Sequence, residues 1–379
     1  MSAAPAGPLV LTHGDGNLVH TDDGRVLVDL ELGFGAAFLG HNRPEVTACL
    51  RDQAGRLMSS GRHGTGRLTR IQAHLDRLLP QGLQLAGVYS TGMEVAELAL
   101  RIAATQTGRR EYVGFARSMH GKSTMTAALC WNNAPLQPGG LHVLPFVADA
   151  APADILHALR ALLANKRLAA VLMEPIQGSN FGHAAPVGFY DEAIRLCREA
   201  GTLSVFDETL TGLYRTGPAF YANRLQESPD VLLFAKSLGN GFPVAALALR
   251  QPLTVLPAAL PGSTFSANPM ALAAIEATLN VMQGLPLSDH VAAIESAVQA
   301  MQQPLARAGV QLRGRGALWC MEFQDADRCQ RVHATLRAQG LLISCTSRGL
   351  RLVPAATIEP AVLTEACRKI VSACEADPA

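Results

Sequence analysis

Between about residues 85 and 250 the chain alternates short apolar runs with helix-like stretches. The runs are YVGF at 112–115, LHVLPF at 141–146, LAAVLMEP at 168–175, LSVFDE at 203–208 and DVLLFA at 230–235. Amphipathic segments lie between several of them, around Pro152 to Arg167 and over GFYDEAIRLCREAG at 188–201. This alternation predicts an α/β fold, with a mostly parallel sheet covered by helices on both faces. In such a sheet ligands bind at the carboxyl ends of the strands. Three runs close on an ionisable residue there: Glu174, Asp207 and Lys236.

The flanks read differently. GNLVHTDDGRVLVDLELGF at 16–34 predicts a short hairpin around Asp23-Gly24. Residues 270–304 read as helical. Beyond Gln311, the pieces ALWCMEF, LLISC and LRLVP, with a final helix over about 359–374, predict a small α+β domain. The expected division is a large domain over 51–280 and a small one built from 1–50 with 281–379. A chain of 379 residues, 49% hydrophobic, can bury two cores of that kind.

A formal net charge of +1 gives no electrostatic basis for binding nucleic acid or an acidic membrane. The eight cysteines are scattered singly, with no CxxC pair or histidine cluster beside them, which argues against a metal site. They read as reduced thiols of a cytosolic protein. The first residues lack a charged segment followed by a long apolar core, and no apolar stretch reaches membrane-spanning length. A cytoplasmic protein is expected.

Lys236 is one of only four lysines, and it directly follows an apolar run. Desolvating an ammonium is costly unless it is paired or neutralised. Either Lys236 caps the strand and snorkels to water, or its amine is kept partly desolvated to form an imine with a carbonyl. Asp207 likewise has two readings. It can cap a helix, or it can keep the pyridine nitrogen of pyridoxal phosphate protonated beside an imine-forming lysine. In YSTGMEVAELALRIA at 89–103, Ser90, Thr91 and Gly92 precede an apolar-periodic helix. Free N–H groups and the helix dipole at such a start suit a phosphate; an ordinary N-cap with Glu94 in the first turn is the alternative. GSTFSANP at 262–269 is a second hydroxyl-rich loop suited to the same anion.

From about Gly16 to Pro354 the chain resembles the class III aminotransferases, the ornithine and ω-amino acid group of fold-type I pyridoxal phosphate enzymes. The motifs run in that family's order: DDGRVLVDLELGFGAAFLGHNRPEV, STGMEVAELALRIA, MHGKS, EPIQGSNFG, FDETLTGLYRTG, AKSLGNGFPVAA and GSTFSANPMA. The resemblance implies a large domain with a mostly parallel, seven-stranded type of sheet, a small α+β domain, pyridoxal 5'-phosphate as cofactor, and a homodimer. It implies that Lys236 binds the cofactor and shuttles the proton, and that Asp207 pairs with the pyridine nitrogen. Thr91, Gly92 and Met93 would form the phosphate loop, and Thr264 would add a hydroxyl from the other protomer. Met119 and His120 would form the ring-stacking turn. Gln177 would lie near the ring hydroxyl, Glu174 would support that shell, and Thr209 would pack below the ring.

The resemblance also exposes departures. Met93 stands where Ser or Thr is usual, Met119 where Tyr or Phe stacks, and Thr209 where Val or Ile packs. Ser179 replaces a glutamate that pairs in many members with an arginine, here Arg351. Arg351 therefore reads either as free for a substrate carboxylate or as part of an ion pair in the small domain. The expected activity is transamination between an amine or amino acid and a keto acid or aldehyde, with these departures pointing to specialised biosynthesis. Two rivals share the sequence features: another reaction on the same cofactor (racemase, aminomutase, decarboxylase or carbon–carbon bond formation), and a binding protein that kept the fold. Phe34, Arg62, His63 and Phe181 fall in the loops expected to build the substrate pocket, without assigned roles.

Overall fold

The computed structural model describes residues 9–377, apart from 62, 132–133, 252 and 254–259. Among the described residues, seven strands form the large sheet. They are β1 (Leu83–Tyr89), β2 (Glu111–Phe115), β3 (Leu141–Leu144), β4 (Leu168–Met173), β5 (Leu203–Asp207), β6 (Val231–Phe234) and β7 (Ala245–Arg250). Their spatial order is β1-β7-β6-β5-β4-β2-β3. The pairs among β2 to β6 are parallel, and β7 runs antiparallel to both β6 and β1.

Every residue of β4 and of β6 is buried, which explains why both read as continuous apolar runs rather than alternations. The pleat still divides them between two cores. Val171 and Met173 face the aromatic side, with Phe206, Tyr190 and Ile194; Leu172, Val205 and Leu233 pack on the other side against Val95 and Ile102. Each large apolar side chain so buried contributes about 1.5–3 kcal/mol. The helix Gly92–Thr107 supplies the second set, and it stops at Gly108, whose φ of +68° is the left-handed cap that a glycine adopts without strain. The helix Val187–Ala200 covers the aromatic face. Its Tyr190 hydroxyl donates to Pro175 O at 2.6 Å, anchoring the turn that follows Glu174.

The hairpin at Asp23-Gly24 forms, with Leu18–Thr21 antiparallel to Val26–Asp29. Leu341–Leu342 then pairs in parallel with Val26–Asp29, so residues near both chain ends share one small sheet. A second small sheet joins Gln311–Arg315, Leu318–Glu322, Gly349–Leu352 and Ser344–Cys345. The helical region begins at Pro269 and comprises three helices, Pro269–Gln283, Leu287–Gln299 and Gln302–Arg307. The last helix runs from Pro360 to Ala376. Among the described residues no single helix is long and apolar enough to cross a membrane.

Candidate active site at the strand ends

β5 ends on Asp207, Glu174 follows β4 directly, and Lys236 opens a single 3-10 turn two residues after β6. Adjacent parallel strands bring the three together at one sheet edge. Lys236 has φ +33°, a strained region for a side-chain-bearing residue that surrounding contacts must enforce. Leu238 N–H donates to Ala235 O at 2.8 Å, and Asn240 bridges to the N-terminal segment. Asn240 Oδ1 accepts from Leu39 N–H at 2.8 Å, while its Nδ2 donates to Gly40 O at 3.0 Å.

Lys236 is intermediate in exposure, and among the described residues its amine makes no hydrogen bond or ion pair. Burial first, and then the charge of Arg351, lowers it to about 8, against the opposing pull of Asp207 and Glu174. Asp207 is buried. Its Oδ2 accepts from His120 Nδ1 at 2.9 Å and its Oδ1 from Thr209 N–H at 3.0 Å. Burial opposes its charge, but those bonds and the His120 charge outweigh burial and hold the carboxyl below its ordinary range. His120 moves the complementary way: burial opposes its cation, and the bond and charge of Asp207 overcome it. Glu174 is pushed up to about 7, chiefly by burial, and accepts the Met119 backbone N–H.

Thr91 caps the helix Gly92–Thr107. Its hydroxyl accepts from Glu94 N–H at 3.1 Å, and the Glu94 carboxylate accepts from Ser90 N–H at 3.0 Å. The ordinary N-cap is therefore present, yet it uses neither the Gly92 nor the Met93 N–H. Gly92 approaches Thr209 so closely that a Cβ there would lie 3.1 Å from Thr209 Cγ2. Gln177 is buried and already engaged: its Nε2 donates to Ala116 O at 3.1 Å and Ser118 Oγ at 2.8 Å, and its Oε1 accepts from Asn180 Nδ2 at 2.7 Å. Both amide N–H groups are spent on the turn that carries Met119 and His120.

Arg351 is in no ion pair among the described residues. Its Nη1 donates to Gly178 O at 3.3 Å, its Nε is buried without a partner, and its guanidinium carbon lies 5.7 Å from the Phe34 ring centre. Thr264 is exposed and lines, with His63 and Ser266, an open cavity of about 840 Å³. It makes no hydrogen bond to the Lys236 cluster among the described residues. Phe181 packs against Gly349, where a Cβ would come within 2.6 Å of its ring. Arg62 lies outside the described residues.

Over residues 1–374 the chain matches the family Aminotransferase class-III. It is a class III aminotransferase. The family uses pyridoxal 5'-phosphate and transfers amino groups between small-molecule amines and carbonyl compounds. The chain is 32% identical over 357 residues to a [LysW]-aminoadipate semialdehyde transaminase of Deinococcus radiodurans, covering 92% of this chain and 82% of that one. It is 32% identical over 397 aligned residues to a 2-aminoadipate transaminase of Pseudomonas putida, covering 96% and 95%. The solved ornithine aminotransferase of Toxoplasma gondii, described with partial occupancy of the cofactor at its active site, superposes with a TM-score of 0.87 at 26% identity, over 99% of this chain and 92% of that one.

Three side chains of this aminotransferase escaped the reading of its sequence. Arg215, inside the quoted FDETLTGLYRTG, is fully buried. Asn240, inside AKSLGNG, ties the lysine turn to Gly40. Glu208 accepts Tyr221 N–H at 2.7 Å, Ala222 N–H at 2.8 Å and the Thr211 hydroxyl at 3.1 Å. A polar residue inside an otherwise apolar or glycine-rich motif was the available signal in each case.

Proposed function

We propose that this aminotransferase acts on a pair of substrates of which at least one carries a carboxylate received by Arg351. The observation that carries this reading is the Arg351 guanidinium, which sits close enough to depress the Lys236 amine and forms no ion pair among the described residues, although the Glu31 carboxylate lies within reach of its charge. Ser179, intermediate in exposure, supplies no charge in the turn beside it. The names of the relatives support the same class: the Pseudomonas putida protein is named for 2-aminoadipate, an amino acid with two carboxylates.

The residues present fit the cofactor. An unpartnered, desolvated amine suits its aldehyde, an acid held ionised suits its ring nitrogen, and a helix start with two free N–H groups suits its phosphate. In this reading Lys236 binds the aldehyde, Asp207 faces the ring nitrogen, and Thr91, Gly92 and Met93 cradle the phosphate. Met119 and Thr209 lie on either side of the ring, and His120, Glu174 and Gln177 hold those residues in place. When bound, the cofactor supplies an electron sink for the substrate carbon that loses its proton. Lys236 Nζ takes that proton and returns it, and an amine near 8 is well matched to a base working close to neutrality. His120 and Thr209 keep Asp207 negative throughout. Glu174 pins Met119, and Gln177 pins Ala116 and Ser118, so the turn above the site keeps its shape.

A homodimer completes this reading, with Thr264 reaching the phosphate held by the partner protomer. Support comes from the apolar side chains that one protomer leaves bare near the cradle and in the same loop: Met93 is 43% exposed and Phe265 60%. The division into a large domain, 51–280, and a small one from both chain ends belongs to the same proposal and is supported by the pairing of Leu341–Leu342 with Val26–Asp29. A cytoplasmic location belongs to the same proposal and is supported by the eight cysteines standing as free thiols.

The test is a donor series with and without a carboxylate, read by keto acid or aldehyde release. Carboxylate-bearing donors should exceed their decarboxylated analogues in kcat/KM by about a hundredfold, the worth of a well-placed charged hydrogen-bond pair. Arg351→Met should erase the difference. Equal rates for both donor types in the unaltered enzyme, together with equal rates for carbonyl acceptors with and without a carboxylate, would defeat the reading.

A further inference from the structure

Arg215 is wholly buried, yet it meets no carboxylate among the described residues. Its partners are backbone carbonyls from three separate stretches. Nη2 donates to Gly35 O at 2.7 Å; Nη1 donates to Pro354 O at 2.9 Å, Val353 O at 3.3 Å and Ala317 O at 3.3 Å. The guanidinium also lies 4.4 Å from the Phe38 ring centre. Burying a guanidinium against neutral acceptors alone is costly, so a simpler neutral tie would hold a fold more cheaply.

The three stretches share a neighbour. Gly35 follows Phe34, whose ring lies 5.7 Å from the Arg351 guanidinium. Val353 and Pro354 directly follow Gly349–Leu352, the strand that carries Arg351. Ala317 directly precedes Leu318–Glu322, in which Cys320 stands opposite Arg351 in register. The Phe34 turn also needs holding. Leu32, Gly33, Phe34 and Gly35 are consecutive left-handed residues, with φ of 50°, 57°, 58° and 87°. For the two side-chain-bearing ones that conformation costs about 1–3 kcal/mol each.

We propose that Arg215 is a positioning residue for the substrate carboxylate: its rigid fork fixes the Phe34 turn against the Arg351 strand, and so sets where the Arg351 guanidinium points. The planar guanidinium holds its two terminal nitrogens at one separation and angle, which a flexible lysine ammonium cannot reproduce. Arg215 has no solvent access; it acts through Arg351. The inference rests on the reading of Arg351 given above.

The experiment uses the cofactor-loaded enzyme and glutarate, an unreactive dicarboxylate, titrated by calorimetry. Cofactor affinity is measured alongside, from the absorbance regained by apoprotein. Arg215→Lys should weaken glutarate binding at least about tenfold, since a displacement near 1 Å in a binding group is enough for such losses. It should leave cofactor affinity within about threefold, because the cradle at Gly92 and the Asp207 pair lie elsewhere and a lysine keeps the positive charge that Lys236 feels from this position. Parallel loss of both affinities, or unchanged glutarate binding, would overturn the inference by reducing Arg215 to a structural tie. If Arg215→Lys fails to fold, Phe38→Leu removes only the ring beneath the guanidinium, and the same split between glutarate and cofactor decides. Arg351→Met separates the two claims. If that variant keeps full glutarate affinity, the reading of Arg351 falls; if it loses affinity while the Arg215 and Phe38 variants do not, only the present inference falls.

Discussion

The apoprotein should reveal Lys236 as an amine that has largely given up its proton by mild alkaline pH. Its ordinary value of 10.5 falls to about 8, mainly through burial and next through the charge of Arg351. That difference is worth about 3 kcal/mol, discounted to roughly 2–3 because the side chain keeps slight solvent access. The sign follows from proton counting. Between pH 8 and 10.5 the unfolded chain still holds the Lys236 proton and the folded one has released it, so stability rises with pH across that window. At pH 7 both states are protonated, and the fold carries the full cost of a desolvated ammonium. Urea unfolding of apoprotein and of Lys236→Met at pH 7, 8, 9 and 10 isolates this contribution as the difference between the two curves. The unaltered protein should gain on the variant by about 2–3 kcal/mol over the range. Reductive methylation of Lys236, followed by peptide mass spectrometry, should reach half its limiting rate near pH 8, and Arg351→Met should move that midpoint upward. A flat difference curve with a methylation midpoint near 10.5 would refute the claim that the site desolvates this amine.

Four further outcomes are expected. Asp207→Ala leaves the buried His120 Nδ1 without its hydrogen-bond partner and should cost about 1–3 kcal/mol in chemical denaturation, while Asp207→Asn should lower amino transfer by about a hundredfold or more. Gly92→Ala should weaken cofactor binding, because its Cβ meets Thr209 Cγ2 at 3.1 Å; Thr209→Ser removes that methyl and should restore the affinity, measured by absorbance titration. Glu208→Gln should destabilise by about 1–3 kcal/mol even though it deletes a buried charge, since both carboxylate oxygens accept hydrogen bonds and an amide NH2 would face a donor. Thr264→Ala should weaken cofactor binding only where sedimentation shows a dimer.

The sequence exposed the three charged strand ends for a physical reason. A charge that closes a buried apolar run is expensive, so Glu174, Asp207 and Lys236 stand out without any coordinates. The five runs noted in the sequence correspond to five of the seven strands. The two that escaped, β1 and β7, have sequences LQLAGVY and AALALR, in which glycine and alanine blur a strand signal that depends on β-branched and aromatic side chains. The seven-stranded count came from the family resemblance instead. The pairing of His120 with Asp207 joins residues 87 apart in sequence, and the Arg215 fork reaches back to Gly35 across 180 residues. Neither leaves a local pattern, because each partner is chosen by how the strands stack. Gln177 shows another limit. Its place in the motif suggested nothing about its own partners, whereas its amide donors go to Ala116 and Ser118, an allocation visible only once the turn is built.

The charges around the lysine explain why such an expensive arrangement persists. The bond from His120 holds Asp207 ionised, and Glu174, near 7, is only partly ionised at neutral pH. Arg351 and Arg215 form no ion pair among the described residues, Arg351 feeling the Glu31 carboxylate only through space, and both weigh against a proton on Lys236. A buried excess of positive charge is unstable by itself. It becomes favourable when an anion arrives, since whatever binds the folded state alone stabilises it. A phosphate at the Gly92 helix start and a carboxylate at Arg351 would supply the missing charge from outside the chain. The site is thus built incomplete in charge, and its ligands are selected by the deficit they fill. Anionic ligands should accordingly raise the melting temperature of the apoprotein more than neutral isosteres of the same size, and that advantage should shrink in Arg351→Met.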